Sequence, residues 1–298
     1  MGSGILAGLA AGALWGLVFV APRMTRGFAG IDLTAGRFLV YGIVSLAVLA
    51  LSWRRARRPT WAQAWGALWL SILGFTGYYW VLVLAIRDAG TEMPALIVGL
   101  IPLWVMLLGK PGHLRWRTLA PGLLLTAAGL FLMSRAVHAG ASAAGALPHY
   151  TRGLALSVLA MACWTAFSLL NAAWLRRHPD VSATDWANWL GVATGLGGLV
   201  LALGLGTPLP RLMAQPGWPL FALVVLGIGF GSSWLATILW NLASQRLAAS
   251  LCGQLIVSET LFALLYSFAW DGRWPSAMQL SAAFLFTLGI LASIKAHQ

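Results

Sequence analysis

Ten apolar stretches separated by short polar turns occupy almost all of this 298-residue chain. They decide what it can fold into before any motif is considered. A helix needs about 20 mostly apolar residues to cross a bilayer, and the stretches read as 4–22, 32–52, 64–86, 93–110, 116–134, 152–175, 184–205, 217–240, 250–270 and 277–295. Only 9% of the residues are charged, against about 25% in a soluble domain, so most of this surface must face lipid. Backbone groups in lipid are satisfied within their own segment. Runs this long and uniformly apolar therefore predict helices and not barrel strands.

Cap chemistry marks several starts. Thr60-Trp61-Ala62-Gln63, Ser182-Ala183-Thr184-Asp185 and Ser276-Ala277-Met278-Gln279 each set a hydroxyl three residues ahead of a side chain that can reach back. Pro94 and Pro219 fall near helix starts, where a missing N–H costs little. Met1-Gly2-Ser3-Gly4 carries no basic segment, so the first stretch reads as a retained helix and not as a cleaved leader.

Orientation follows the basic residues. Arg54-Arg55-Ala56-Arg57-Arg58, Lys110, Arg115, Arg117, Arg176 and Arg177 fall in turns that share one side with both termini, and that side holds 11 of the 19 Lys and Arg. Both termini are therefore expected in the cytoplasm. The formal charge of +12 follows from the same bias and suits anionic headgroups. A nucleic-acid partner is not indicated, because no soluble domain is present to carry a basic face. Cys163 and Cys252 sit inside apolar stretches, and His113, His138, His149, His178 and His297 fall in turns, linker or tail. Neither a disulfide framework nor a metal site is expected, and no cofactor is implied. A phosphate-binding loop of the GxxxxGK[ST] type is missing from the sequence, and no enzymatic cluster stands out.

The chain also repeats itself. Gly153-Leu154 through Ala162-Cys163-Trp164-Thr165-Ala166-Phe167 echoes Gly8-Leu9 through Ala13-Leu14-Trp15-Gly16-Leu17-Val18. Leu84-Ala85-Ile86-Arg87-Asp88-Ala89-Gly90 parallels Leu242-Ala243-Ser244-Gln245-Arg246-Leu247-Ala248. The expected organisation is a first repeat over 1–135, a linker over 136–151 and a second repeat over 152–298. Five helices per repeat is an odd number, so the second copy enters the membrane from the opposite side. Ten helices as two inverted repeats around a central cavity is a transporter architecture, with the substrate site near midplane.

By these features the chain resembles the EamA-type branch of the drug/metabolite transporter superfamily. The resemblance spans nearly the whole sequence and rests on the five-plus-five order, Leu14-Trp15-Gly16 in the first helix and Leu100-Ile101-Pro102 in the fourth. Within that branch, Gly74-Phe75-Thr76-Gly77-Tyr78-Tyr79-Trp80 and the 17 tryptophans are most similar to the YddG-type aromatic amino acid exporters. The resemblance implies export of small metabolites across a bacterial inner membrane by alternating access. One departure stands out. The ninth stretch reads Ser258-Glu259-Thr260-Leu261-Phe262, where the family pattern often has a proline matching Pro102, so a symmetric proline hinge is not expected.

Glu259 is the outstanding polar residue, near the middle of the ninth stretch. A carboxylate at that depth costs several kcal/mol unless paired, hydrated or protonated. Lys and Arg stop at the rims, the deepest candidates being Arg37 and Arg87, so Glu259 is expected to have no permanent cation beside it. Helical spacing puts Trp164, Phe167, Ser168 and Asn171 on one face, Trp234, Thr237, Ile238 and Asn241 on another, and Phe75, Tyr78, Tyr79 and Leu82 on a third. The candidate substrate site is Tyr78, Trp164, Ser168, Asn171, Trp234, Thr237 and Glu259. Pro102, Gly77 and Gly229 are candidate hinge positions. Each also has a plainer reading: interhelical hydrogen bonds for the amides and hydroxyls, packing for the rings. Gly4, Gly8, Gly12 and Gly16 recur every fourth residue, a stripe suited to close helix contact within a monomer or in a weak homodimer.

Three function classes follow: a carrier for neutral amino acids with aromatic or hydrophobic side chains, a proton-coupled exporter of lipophilic cations acting through Glu259, and a membrane enzyme or scaffold. The first is favoured by aromatic walls, hydroxyls and a single acid. Protons are a candidate second partner in either transport reading.

Overall fold

The computed structural model describes residues 1–52, 58–89, 92–112, 114–138, 149–272 and 274–298. The Arg54–Arg57 part of the basic cluster and most of the expected linker lie outside them. Among the described residues, nine helices are long and apolar enough to span a membrane: α1 (Gly2–Met24), α2 (Gly30–Leu51), α3 (Trp61–Ala89), α5 (Trp116–Arg135), α6 (Tyr150–Arg177), α7 (Ala183–Leu205), α8 (Trp218–Arg246), α9 (Ala249–Trp270) and α10 (Ala277–Ala296). The fourth apolar stretch forms the shorter α4 (Met93–Leu108). The protein is all-α over these residues.

The caps expected from sequence form, with one variation. Thr60 with Gln63 and Ser276 with Gln279 close reciprocally. Ser182 accepts from Asp185 N but turns its own hydroxyl onto the Asp185 carboxylate at 2.8 Å.

Two kinds of irregularity interrupt the helices. The expected span 93–110 is two short helices, Glu92–Val98 and Ile101–Leu108. The break precedes buried Pro102, which has no N–H to continue the ladder and whose ring clashes one turn back. By contrast α9, with no proline, is continuous. In α3 and α8 the helix widens into π-helical turns at Ile72–Thr76 and Gly229–Leu235. Gly77 closes the first of these with its N–H on Ile72 O, and a Cβ there would stand 2.6 Å from that same carbonyl.

Packing follows small residues. α1 lies along α9 and the end of α8: a Cβ at Gly8 would stand 2.6 Å from Leu255 Cδ1, at Gly16 2.9 Å from Ala263 N, and at Gly12 would overlap Ser258 Oγ. The stripe of glycines thus serves contacts within the chain. α2 crosses α7 where Gly42 faces Gly195, and Tyr41 donates across the seam to Ala187 O at 2.7 Å. α5 pairs with α10, and buried Gln254 of α9 bonds to Thr126 and Ser293, tying the three together. α6 packs on α3 and α4, as α1 packs on α8 and α9.

Both ends of the chain reach the same face. Gly4 abuts Leu247 at the turn between α8 and α9, and His297 Nε2 lies 2.7 Å from Ser250 Oγ. On the opposite face Asp88, at the end of α3, takes a two-pronged contact from Arg152 of α6, at 2.6 and 2.9 Å. The Asp88 side chain is 3% exposed, whereas Arg152 is 61% exposed. Such a pair adds little to stability, but it ties α3 to α6 beside the tight Gly153–Ala89 contact. Asp88→Asn is expected to leave the melting temperature nearly unchanged. In an Ala89→Cys background it should raise alkylation from that face several-fold. Unchanged labelling would show that the pair does not hold this end closed.

Candidate functional site

The centre of the molecule is a continuous series of aromatic rings. Trp240 of α8 lies 5.3 Å from Trp15 of α1, and Trp15 lies 6.1 Å from Trp164 of α6. Trp164 meets Phe167 at 5.9 Å, and Phe167 meets Phe75 of α3 at 5.4 Å. Phe75 then touches Phe38 and Tyr41 of α2, and Phe38 faces Tyr79 edge-on at 6.2 Å. The edge-to-face geometry that dominates the series suits the ring quadrupoles. Both halves of the sequence contribute, and Trp15 and Trp164, which hold matching places in the two similar sequence segments, are ring neighbours.

At the α2 and α3 end of this series stand the charged groups. Arg37 sets its guanidinium 4.8 Å above the Phe38 ring and 6.0 Å from that of Tyr79. It interacts electrostatically with Tyr78 and with Glu259 of α9. The expectation that no cation lies near Glu259 is therefore corrected. Arg37 starts only two turns into α2, but its long side chain reaches inward, and counting residues from a helix end ignores that reach. Glu259 itself is half-buried, next to the point where Gly12 of α1 presses on the α9 backbone.

The remaining expected site residues divide. Tyr78 and Trp164 are half-buried; Trp164 is a member of the ring series, and Tyr78 lies within electrostatic range of Glu259 and Arg37. Trp234 meets Phe230 at 5.1 Å in a tilted pair and donates its indole N–H to Asn188 Oδ1 at 2.8 Å. Thr237 is 1% exposed and donates to Ser233 O, and Ser168 is 2% exposed. Asn171, fully buried, accepts from Trp186 Nε1 at 2.7 Å and donates to Asn241 Oδ1 at 3.0 Å. Asn171 thus sits in the seam between α6, α7 and α8. Asn171→Ala should lower stability by about 1–3 kcal/mol, because it strands the Trp186 N–H and Asn241, with the concentration dependence of activity unchanged. A shift in that dependence without loss of stability would place Asn171 at the site instead. Among the hinge candidates, Pro102 and Gly77 adjoin a helix irregularity, as does Gly229. A Cβ at Gly229 would stand 2.5 Å from Val40 Cβ and 3.0 Å from Arg37 O, so this glycine also lets α8 close on α2 behind Arg37.

Three residues of this region are not among the candidate site residues read from the sequence: Arg37, Trp15 and Trp240. For Trp15 a signal existed in the repeat that aligns it with Trp164. Trp240 is 1% exposed with its Nε1 unbonded among the described residues, and nothing in its helical spacing separated it from a packing residue.

Residues 2–135 match the EamA-like transporter family. Over 99% of its length the chain is 32% identical to the inner membrane protein YtfF of Escherichia coli (strain K12), covering 95% of that protein. It is 25% identical to the aromatic amino acid exporter YddG of Ancylobacter novellus, across 99% of both chains. A crystal structure superposes with a TM-score of 0.79 at 22% identity, covering 100% of this chain and 98% of the other, which shows a shared fold. The multi-spanning fold and these likenesses agree, and the chain belongs to the EamA-like transporter family.

Proposed function

We propose that this protein is a secondary transporter of the bacterial inner membrane that exports neutral amino acids with aromatic or hydrophobic side chains by alternating access. Both termini lie in the cytoplasm, and the halves 1–135 and 152–298 are inverted repeats joined by 136–151, around a central cavity. The observation that carries the reading is the ring series from Trp240 to Tyr79, packed with Ile101 and Val105 of the broken α4 and within electrostatic range of Glu259 through Tyr78 and Tyr79. A discontinuous helix beside a polar group is how transporters of this architecture build a midplane site. The repeat is supported by the packing: exchanging each helix for the one five along turns α1 on α8 and α9 into α6 on α3 and α4, and leaves α2 on α7 and α5 on α10 unchanged. The π-helical turns in α3 and α8 obey the same exchange.

In this reading the substrate ring lies among Tyr78, Trp15 and Trp164, and Glu259 takes its ammonium group. Burying one aromatic side chain is worth roughly 2–3 kcal/mol, a modest affinity that suits a carrier obliged to release its cargo. Lipophilic cations fit less well, because Arg37 already brings a positive charge to Glu259. The distinguishing experiment is uptake by proteoliposomes containing the full chain. Radiolabelled phenylalanine and tryptophan should move and a quaternary ammonium dye should not. Movement of the dye alone would overturn the assignment.

A further inference from the structure

We infer that Arg37 is the residue that binds the substrate carboxylate, so that Arg37 and Glu259 together select zwitterionic α-amino acids over aromatic amines and aromatic acids. The inference rests on the transport reading above and names the group that reads the second half of the substrate. The hydroxyl and amide donors among the candidate site residues, which a carboxylate could otherwise use, are committed or enclosed: Thr237 bonds within its own helix, Asn171 is held by Trp186 and Asn241, and Ser168 is 2% exposed. None offers a free donor to a ligand.

Arg37 differs on each point. It is half-buried, its Nε is enclosed with no hydrogen-bond partner among the described residues, and its guanidinium faces the Phe38 and Tyr79 rings at 4.8 and 6.0 Å. Rings on the flat face leave the N–H edge for an acceptor, and a guanidinium edge matches a carboxylate in two-pronged fashion. An enclosed, unbonded N–H of a cation is costly to leave so, which points to an acceptor that arrives with the ligand. The backbone at Arg37 is fixed by the close approach of Gly229, where a Cβ would stand 3.0 Å from Arg37 O. Glu259 and Tyr78 share the field of the guanidinium. A zwitterion entering between Arg37 and Glu259 meets an opposite charge at each end and leaves the net charge of the site unchanged, the least costly way to bind charge away from water.

The test uses the full chain in proteoliposomes, with labelled phenylalanine uptake competed by unlabelled phenylalanine, phenethylamine or 3-phenylpropionate. The wild type should prefer phenylalanine to either fragment by about 10-fold or more. Arg37→Gln should weaken competition by phenylalanine about 10- to 100-fold while competition by phenethylamine, which has no carboxylate, is retained. Glu259→Gln should show the converse, favouring 3-phenylpropionate. If Arg37→Gln does not fold, Arg37→Lys carries the test, since it keeps the charge and loses the fork; a narrowing of the phenylalanine-to-phenethylamine ratio by about threefold or more is expected. A ratio unchanged in the folded variant overturns the assignment of Arg37 and leaves amino-acid transport standing. A wild type that moves no amino acid overturns both.

Discussion

Trp164→Ala is expected to cut export of phenylalanine and tryptophan by about 10- to 100-fold, with threonine export reduced less than about threefold. Trp164 is the ring through which Trp15 and Trp240 connect to Phe167 and Phe75. Its half-buried position leaves part of its surface for a ligand. The stacking and burial of one substrate ring are worth roughly 2–3 kcal/mol, and a factor of ten in rate or affinity corresponds to about 1.4 kcal/mol. Threonine has no ring to stack and should lose little. Equal losses for all three substrates, measured as initial rates in proteoliposomes, would mean that Trp164 serves only the packing of α1, α6 and α8.

Gly12→Val is expected to have the largest effect on the folded state. A Cβ at Gly12 would overlap Ser258 Oγ and stand 3.1 Å from Glu259 N, so α1 must move off α9 beside Glu259, the residue proposed to take the substrate ammonium. Overpacking of this kind costs about 1–3 kcal/mol, which corresponds to roughly 2–5 °C in the melting temperature of a chain this size. Transport should fall about 10-fold or more in the variant that still folds, because Glu259 shifts with α9. Gly2→Ala is the control, since nothing lies within 4 Å of a Cβ at Gly2. Thermal unfolding in detergent checks both. A Gly12→Val protein with unaltered melting and transport would show that α1 is not wedged against Glu259.

The sequence made the helices legible because lipid imposes one rule on every segment: length and apolarity mark the spans, and Thr60, Ser182 and Ser276 mark starts. Pro102 foretold a weak point, and the missing proline in α9 foretold a continuous helix. The partners of each face were harder to read. A helix in lipid is apolar on both its lipid face and its packed face, so periodicity does not say which neighbour a residue meets. By spacing alone Asn171 and Thr237 have the signature of a binding face, yet Asn171 bonds to Asn241 of a neighbouring helix and Thr237 to Ser233 O of its own. The π-helical turns arise where Gly74, Gly77, Gly229 and Gly231 relax the ladder, yet glycine is too common in membrane helices to announce them. Counting residues sets Arg37 at a rim, although its Cα depth says little about where a guanidinium on a long stem ends.

Counterflow tests most directly whether the aromatic centre serves a carrier that opens to one side at a time. Proteoliposomes containing the full chain are loaded with unlabelled phenylalanine and diluted into trace labelled phenylalanine. Alternating access through one site predicts a transient accumulation of label above its equilibrium level, present with tryptophan inside and missing with a quaternary ammonium inside. Label that rises only to equilibrium, at a rate indifferent to what the vesicles contain, would contradict it.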